Sequence, residues 1–442
     1  MFRQRFQLGL LHMAVALTAL PIDSTLNRVM ISELGIPATL VAVLITLPYL
    51  FSPIQLAIGS FADRHPLFGR RRTPYIIIGV VLSTAGLALA APAVFLFDAN
   101  FPLGLLVSLL AFGLWGTGFN FATVSYFALA SEISGEQQSS RTIATMYFMM
   151  ILTMIITGIG LGRALETYTP FMLNVAVWVV AAIALAIGLL GTVGLEPRRI
   201  EDVQPQPSVE RTSIGAFLPL VVNNPQARLF FIYMIVLLAA ILGQDVLLEP
   251  FAADALGLSV SATTRLSSIY GVAFLLALVA GGWSEGRISK RTVAAGSAWA
   301  GIAAFTFIIV GGLLSSTALF YTGVLILGMA IGLSTVSNHA LMLDMTTPQN
   351  VGLFIGAWGM ATAFARLLGS ITGGVVQDLV SPLTSLPGVG YMAMFLINIG
   401  LLTVSLILLS RLDVGHFRSQ AEAHAPTGDV IEQAALAARA LD

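Results

Sequence analysis

The chain has 442 residues, 57% of them hydrophobic and only 10% charged, with a mean hydropathy of +0.90. Soluble domains carry about 25% charge, so these residues cannot coat a water-facing globule, whereas a polytopic membrane protein fits if the apolar residues come in runs of about 20. A net charge of −1 leaves no electrostatic footprint for nucleic acid, the lack of cysteine excludes disulfides and thiolate chemistry, and the one lysine, Lys290, follows Ser289 and not the glycine that a phosphate-binding loop needs.

Twelve apolar stretches run near 7–31, 38–62, 73–95, 102–130, 142–165, 170–194, 229–253, 264–284, 293–313, 317–343, 351–376 and 388–410. Each is long enough to cross about 30 Å of hydrocarbon at about 1.5 Å per residue. They are too long and too uniformly apolar for barrel strands. Helices are then required, because a lipid-exposed segment must satisfy its own backbone. The expected fold is an all-α integral membrane protein.

The first stretch follows Arg3 and Arg5, as a signal peptide would. It runs on through Asp23, Asn27 and Arg28, which fit no cleavage region. Asp23 lies about 24 Å from the start of this span, counted at about 1.5 Å per residue, and so near the far face. Pro21 beside it removes a helical hydrogen bond. After the second span comes Gly59-Ser-Phe-Ala-Asp63-Arg64, then Gly69-Arg70-Arg71-Arg72. Asp63 at a helix end can meet the positive end of a neighbouring helix. The arginines can reach carboxylates of the other half of the chain, or serve as a positive anchor at the membrane. Together they form a candidate conformational latch.

In the fifth span Met146, Met150 and Met154 repeat every four residues, with Met149 beside them. That stripe suits a large flat ligand, and equally suits ordinary packing. Gly158, Gly160 and Gly162 mark close helix contact. Residues 195–228 are polar, hold Pro197, Pro205 and Pro207, and are expected to link two six-helix bundles, 1–194 and 229–411. The seventh span carries Gln244-Asp245-Val-Leu-Leu-Glu249-Pro250, with two acids one helical turn apart beside a helix-breaking proline. Arg366 sits in the eleventh span and must find an acid or a ligand carbonyl; the sequence does not name its partner. Each such intramembrane charge costs about 2.5–3.5 kcal/mol on insertion scales and is a functional hypothesis by default. The alternative for the acids is a gate network with Arg28 and Arg265. The tail, 412–442, is polar and reads as an interaction arm or a solvated end.

With the N-terminus inside, 17 of the 21 basic residues fall on the cytoplasmic side, 3 outside and Arg366 within a span. The positive-inside rule therefore predicts both termini in the cytoplasm. The two halves also repeat. A shift of 222 places Asp23 on Asp245, Asn27 on Glu249, Gly35 on Gly257 and Asp63 on Glu285. A shift of 212 places Ala128-Leu129 on Ala340-Leu341 and Glu132 on Asp344. Two six-helix bundles related by a pseudo-two-fold axis are the architecture of the major facilitator superfamily, and the Gly59–Arg72 loop is similar to that superfamily's loop signature. Broken helices at matching places of two repeats point to a binding site.

Several stretches resemble a particular branch. Asn27-Arg28-Val-Met-Ile-Ser-Glu33-Leu-Gly35-Ile-Pro37, Asp63-Arg64-His65-Pro66 with the arginine run, and Gln244-Asp245-Val-Leu-Leu-Glu249-Pro250 with Gly257-Leu-Ser259 are similar to the PucC/LhaA family, the bacteriochlorophyll-delivery branch of that superfamily. The resemblance covers about residues 7 to 411. It implies a non-enzymatic factor of the photosynthetic membrane that hands chlorophyll or bacteriochlorophyll, as cargo, to light-harvesting antenna polypeptides or a reaction-centre complex. Pigment-synthesis enzymes and membrane lipid are implied as further partners.

On that reading Asp23, Asn27, Gln244, Asp245, Glu249, His339 and Arg366 are candidate contacts to pigment or to a docked partner. An intramembrane imidazole, His12 or His339, can ligate the magnesium of a chlorophyll or simply hydrogen-bond between helices. No paired-histidine zinc spacing is present. Two other functions remain open: a proton-coupled carrier of a small solute, and a ligand-free assembly scaffold.

Overall fold

A computed structural model describes residues 2–51, 58, 61–62, 64–196, 225–284, 287–344 and 351–412, without the side chains of 135–140, 343–344 and 351–357. Among the described residues there are eleven helices long and apolar enough to span a membrane, and a shorter apolar helix, Ala38–Leu50. These match in order the twelve expected stretches. The predicted linker falls mostly, and the tail almost wholly, outside the described residues.

In the N-terminal half the helices are α1 (Phe2–Leu20), α2 (Ala38–Leu50), α3 (Thr73–Val94), the short α4 (Leu96–Ala99), α5 (Phe101–Ala164) and α6 (Pro170–Thr192). The C-terminal half has α7 (Pro225–Leu242), α8 (Leu248–Leu256), α9 (Val260–Ser284), α10 (Lys290–Leu313), α11 (Thr317–Asp344), α12 (Val351–Val380) and α13 (Val389–Ser410). Local chemistry sets several starts. Asn100 and Thr169 accept from the backbone N–H three residues on, at 3.1 Å each, and Pro102 and Pro170 follow in the first turn, where a missing N–H costs nothing.

The expected fourth and fifth spans lie within the one helical run α5. That run is not straight. The hydroxyl of Ser134 donates to Thr142 at 2.7 Å, whereas eight residues of straight helix would separate them by about 12 Å. The chain reverses between them, and the two hydroxyls staple the reversal.

The repeat is visible in individual hydrogen bonds. Helix α1 gives way at Pro21 to a π-helical turn, and α7 gives way at Gly243 to a 3₁₀ turn; the two break points are 222 residues apart. The following segments end alike. Gly35 and Gly257 take φ of +61° and +65°, a left-handed conformation that suits glycine. One residue later Ile36 N–H donates to Met30 O at 2.9 Å and Leu258 N–H to Ala252 O at 3.1 Å, each closing the same six-residue cap.

The halves meet along two seams, α5 with α9 and α2 with α12. A Cβ on Gly158 would stand 2.3 Å from Ser268 Oγ, and one on Gly162 would stand 2.6 Å from Arg265 Cγ, so a side chain at either would force its neighbour on α9 to shift. Gly160, between them in sequence, faces open space. The larger core cluster spans both halves, while Leu8, Leu11, Ile76, Tyr126 and Met146 form a second cluster confined to the N-terminal half. Large apolar side chains such as Leu110, Leu190, Leu276, Val279 and Trp299 point outward. A soluble surface would not tolerate that band; lipid does.

Candidate functional site

The helix breaks place the acids. In a π or 3₁₀ turn the regular i to i+4 ladder is interrupted, and such turns are enriched at functional positions. Asp23 lies in the π-helical turn Pro21–Leu26, and Gln244 and Asp245 lie in the 3₁₀ turn Gly243–Val246. Glu249 follows in the first turn of α8, buried.

Arg366, mid-way along α12, has the partner that the sequence does not name. Its guanidinium donates to Asp245 Oδ2 and to the hydroxyl of Tyr49 on α2. The guanidinium also lies 5.1 Å from the Tyr49 ring centroid. The amide of Gln244 donates to the other Asp245 oxygen at 2.8 Å, so both carboxylate oxygens are engaged. Asp23 is within electrostatic reach of Arg366 and Asp245, and Glu249 within reach of both aspartates. Two carboxylates, Asp23 and Asp245, one from each half of the chain, thus face one guanidinium, and Glu249 lies beside them. The Oε1 of Gln244 and the Oε2 of Glu249 are buried without a hydrogen-bond partner. Such atoms cost about 1–3 kcal/mol each unless a ligand, water or proton satisfies them.

The count along the first span puts the acids near one face, and the count along the second span puts the Tyr49 end of the cluster deeper. Tyr49 is eleven residues into α2, about 16 Å from its start, which is near the middle of the hydrocarbon.

The remaining polar residues of the first span hold the halves together. Asn27 Nδ2 donates to Val246 O at 2.8 Å, and the hydroxyls of Thr25 and Thr264 share a hydrogen bond at 3.1 Å. Arg28 pairs with Glu33 and donates to Leu258 O at 3.2 Å; Arg265 pairs with Glu166. The expected alternative partners for the acids, Arg28 and Arg265, are therefore engaged with other carboxylates. Asp378 accepts from the N–H groups of Ala38 and Thr39, both at 2.9 Å, and so caps α2 from the opposite half. These contacts sit on the part of the bundle remote from Phe2.

His339 is not part of the acid cluster. It packs with its ring centroid 3.9 Å from that of Trp358, on α11 and α12. In the proposed latch, Gly59 and Asp63 lie outside the described residues. Arg64 is exposed, and Gly69 has φ +70° in a tight turn between Leu67 and Arg70. The carboxylate of Glu196 accepts from the backbone N–H groups of Arg71, Arg72 and Thr73, at 2.7 Å for the first and last, and caps α3. Arg72 Nε donates to Glu132 at 2.9 Å. This pair lies within the N-terminal half. Arg72 is buried under the end of its own bundle, where Glu132 on the adjacent helix meets it.

Tyr49, Glu166, Asp378 and Thr264 escape sequence reasoning. Only Tyr49 carries a signal, a hydroxyl directly after Pro48 inside an apolar run. The others find partners more than 90 residues away in the chain.

Comparison with known proteins accords with this geometry. The chain is similar to the nucleoside transporter NupG (TM-score 0.69, 18% identity, covering 92% of this chain and 99% of that one). It is also similar to a bacterial homologue of the iron transporter ferroportin (TM-score 0.71, 11% identity, 93% and 98%). These likenesses show the fold, that of the major facilitator transporters. In sequence it is 29% identical to Protein PucC of Cereibacter sphaeroides over 92% of this chain and 91% of that protein. It is 29% identical to a Rhodobacter capsulatus protein described as the bacteriochlorophyll synthase 44.5 kDa chain, over 85% and 88%. The profile of the PUCC protein family matches residues 25–417. The chain is an integral membrane protein with the major facilitator fold, and it belongs to the PUCC protein family.

Proposed function

We propose that the protein serves the biogenesis of photosynthetic pigment–protein complexes, taking up chlorophyll or bacteriochlorophyll within the bilayer and passing it to antenna polypeptides or a reaction-centre complex. The observation that carries this reading is family membership over 393 residues (417 − 25 + 1). The name of a relative, a bacteriochlorophyll synthase chain of a phototrophic bacterium, points to the same pigment. The protein acts without chemistry of its own, in the photosynthetic membrane and with both termini in the cytoplasm, beside the enzymes that make the pigment.

The physics suits such a cargo. A tetrapyrrole with a long apolar tail dissolves in lipid and need not cross water. It can enter between helices, and the cluster of Asp23, Asp245, Glu249, Gln244 and Arg366 supplies the polar contacts that orient it. Asn27 joins the halves through its Nδ2 and keeps a buried, unpartnered Oδ1 that can accept from a ligand. Purification of the protein from a phototrophic membrane in mild detergent, followed by absorption spectroscopy and identification of bound proteins, tests the proposal. Pigment together with antenna or pigment-synthesis partners is expected. A colourless protein without either would refute it.

A second reading has one specific observation in its favour. Arg366 lies midway along α12, and carriers of this fold bind their substrates near mid-depth. A proton-coupled carrier of a small solute would then use Asp245 and Glu249. It requires a pH-driven flux in proteoliposomes that Asp245→Asn abolishes.

A further inference from the structure

We propose that His339 is the axial ligand of the pigment's central metal, in a site separate from the acid–arginine cluster. This inference rests on the pigment reading and gives it an atom. A metal held by four macrocycle nitrogens needs one protein ligand. A lone imidazole can therefore suffice, and no cluster of metal-ligating side chains is required. The imidazole must present an unprotonated nitrogen, and it must be held still.

His339 meets both conditions. Its Nδ1 lies 2.6 Å from the carbonyl oxygen of Thr335, one turn back on α11. A carbonyl only accepts, so Nδ1 carries the proton and Nε2 carries the lone pair. That arrangement, Nδ1–H to a backbone carbonyl with Nε2 free, is the one that orients metal-ligating histidines. Among the described residues nothing hydrogen-bonds to Nε2.

The indole of Trp358 lies against the ring at 3.9 Å between centroids and supplies an aromatic surface beside it. The indole Nε1–H is buried with no acceptor. A buried donor without a partner is uncommon in a native fold. A carbonyl at the rim of a macrocycle bound to His339 would satisfy it. Asn338, the neighbouring residue, is by contrast fully committed: it accepts from Tyr233 at 2.8 Å and donates to Ser334.

The internal repeat supplies a contrast. A shift of 212 maps Phe127 onto His339 and Tyr126 onto Asn338, and a shift of 222 maps His12 onto Met234. The N-terminal half thus has its histidine at the equivalent place but on a different helix. His12 sits among Tyr126, Phe127 and Tyr147, with centroids at 5.4, 5.5 and 5.0 Å. Its Nδ1 is buried with no acceptor, so nothing fixes its tautomer. The repeat places an imidazole beside corresponding positions in both halves, and of these two only His339 is oriented for coordination by a backbone carbonyl.

The test titrates bacteriochlorophyll a, and separately its metal-free analogue, into the full-length protein in nanodiscs. The Qx absorption band reports the number of axial ligands. Wild type should bind the magnesium form at least about 10-fold more tightly than the metal-free form, with a five-coordinate Qx band. His339→Gly and His339→Leu should lose that preference by a similar factor, and free imidazole should restore the band to the glycine variant. His12→Leu should behave as wild type. Retention of preference and band in both His339 variants, or equal binding of the two macrocycles by wild type, would overturn the site and leave the pigment reading standing. Binding of neither macrocycle by wild type would overturn both.

Discussion

The pairing of Arg366 with Asp245 across α12 and the 3₁₀ turn of the seventh span makes a measurable demand on stability. Removal of one member of a buried ion pair typically costs about 3–5 kcal/mol, because it strands the other charge. Here the side chains retain 27% and 22% of their exposure, so partial solvation lowers the expected loss to about 2–3 kcal/mol for Asp245→Asn or Arg366→Gln alone. The double substitution leaves neither member of the pair without its partner, and Asp23 loses the same cation in Arg366→Gln and in the double variant, so that loss cancels in the comparison. The double variant should recover about 2 kcal/mol relative to the sum of the single effects. Unfolding in mixed micelles, followed by tryptophan fluorescence, gives the three values. Single losses below about 0.5 kcal/mol, or strict additivity, would show that the two groups do not act as a pair and would refute the reasoning.

Other consequences can be checked in the same preparation. Asp378→Asn weakens the cap on two N–H groups of α2 and should cost about 1 kcal/mol; it should also raise the labelling rate of a single cysteine introduced at position 40, in a chain that has no other. Glu196→Gln removes a charge from a cap with three donors and should destabilise the start of α3 by about 1 kcal/mol, seen as faster amide exchange at residues 71–76. Gly158→Val should disrupt the seam between α5 and α9 and lower the melting temperature, whereas Gly160→Val, which meets open space, should leave it unchanged.

The residues that sequence reasoning found are those whose signal is local. Proline at 21, glycines at 35 and 257, and acids set into apolar runs all mark the chain where they stand, and the structure breaks and caps its helices at those places. The residues it missed earn their roles from neighbours far along the chain. Tyr49 and Arg366 are 317 positions apart, and Asp378 and Ala38 are 340 apart. No periodicity carries such a pairing. The acid that meets Arg72 was not legible for the same reason. Charge patterning states that Arg72 needs an acid, and only the packing of α3 on α5 decides that Glu132 is the one. His339 was legible as an intramembrane imidazole, but its separation from the acids depends on which face of α11 meets Trp358.

The hydroxyl staple between Ser134 and Thr142 has a mechanical consequence. It ties the fourth and fifth spans into a hairpin at the end where both would otherwise be free to splay. The fifth span bears on α9 through Gly158 and Gly162, and the fourth bears on α3 through Gly118, where a Cβ would stand 2.3 Å from Ser83 N. A tilt of one half against the other is then conveyed as a lever stroke through the hairpin to the third span, and from there to the arginine turn at its foot.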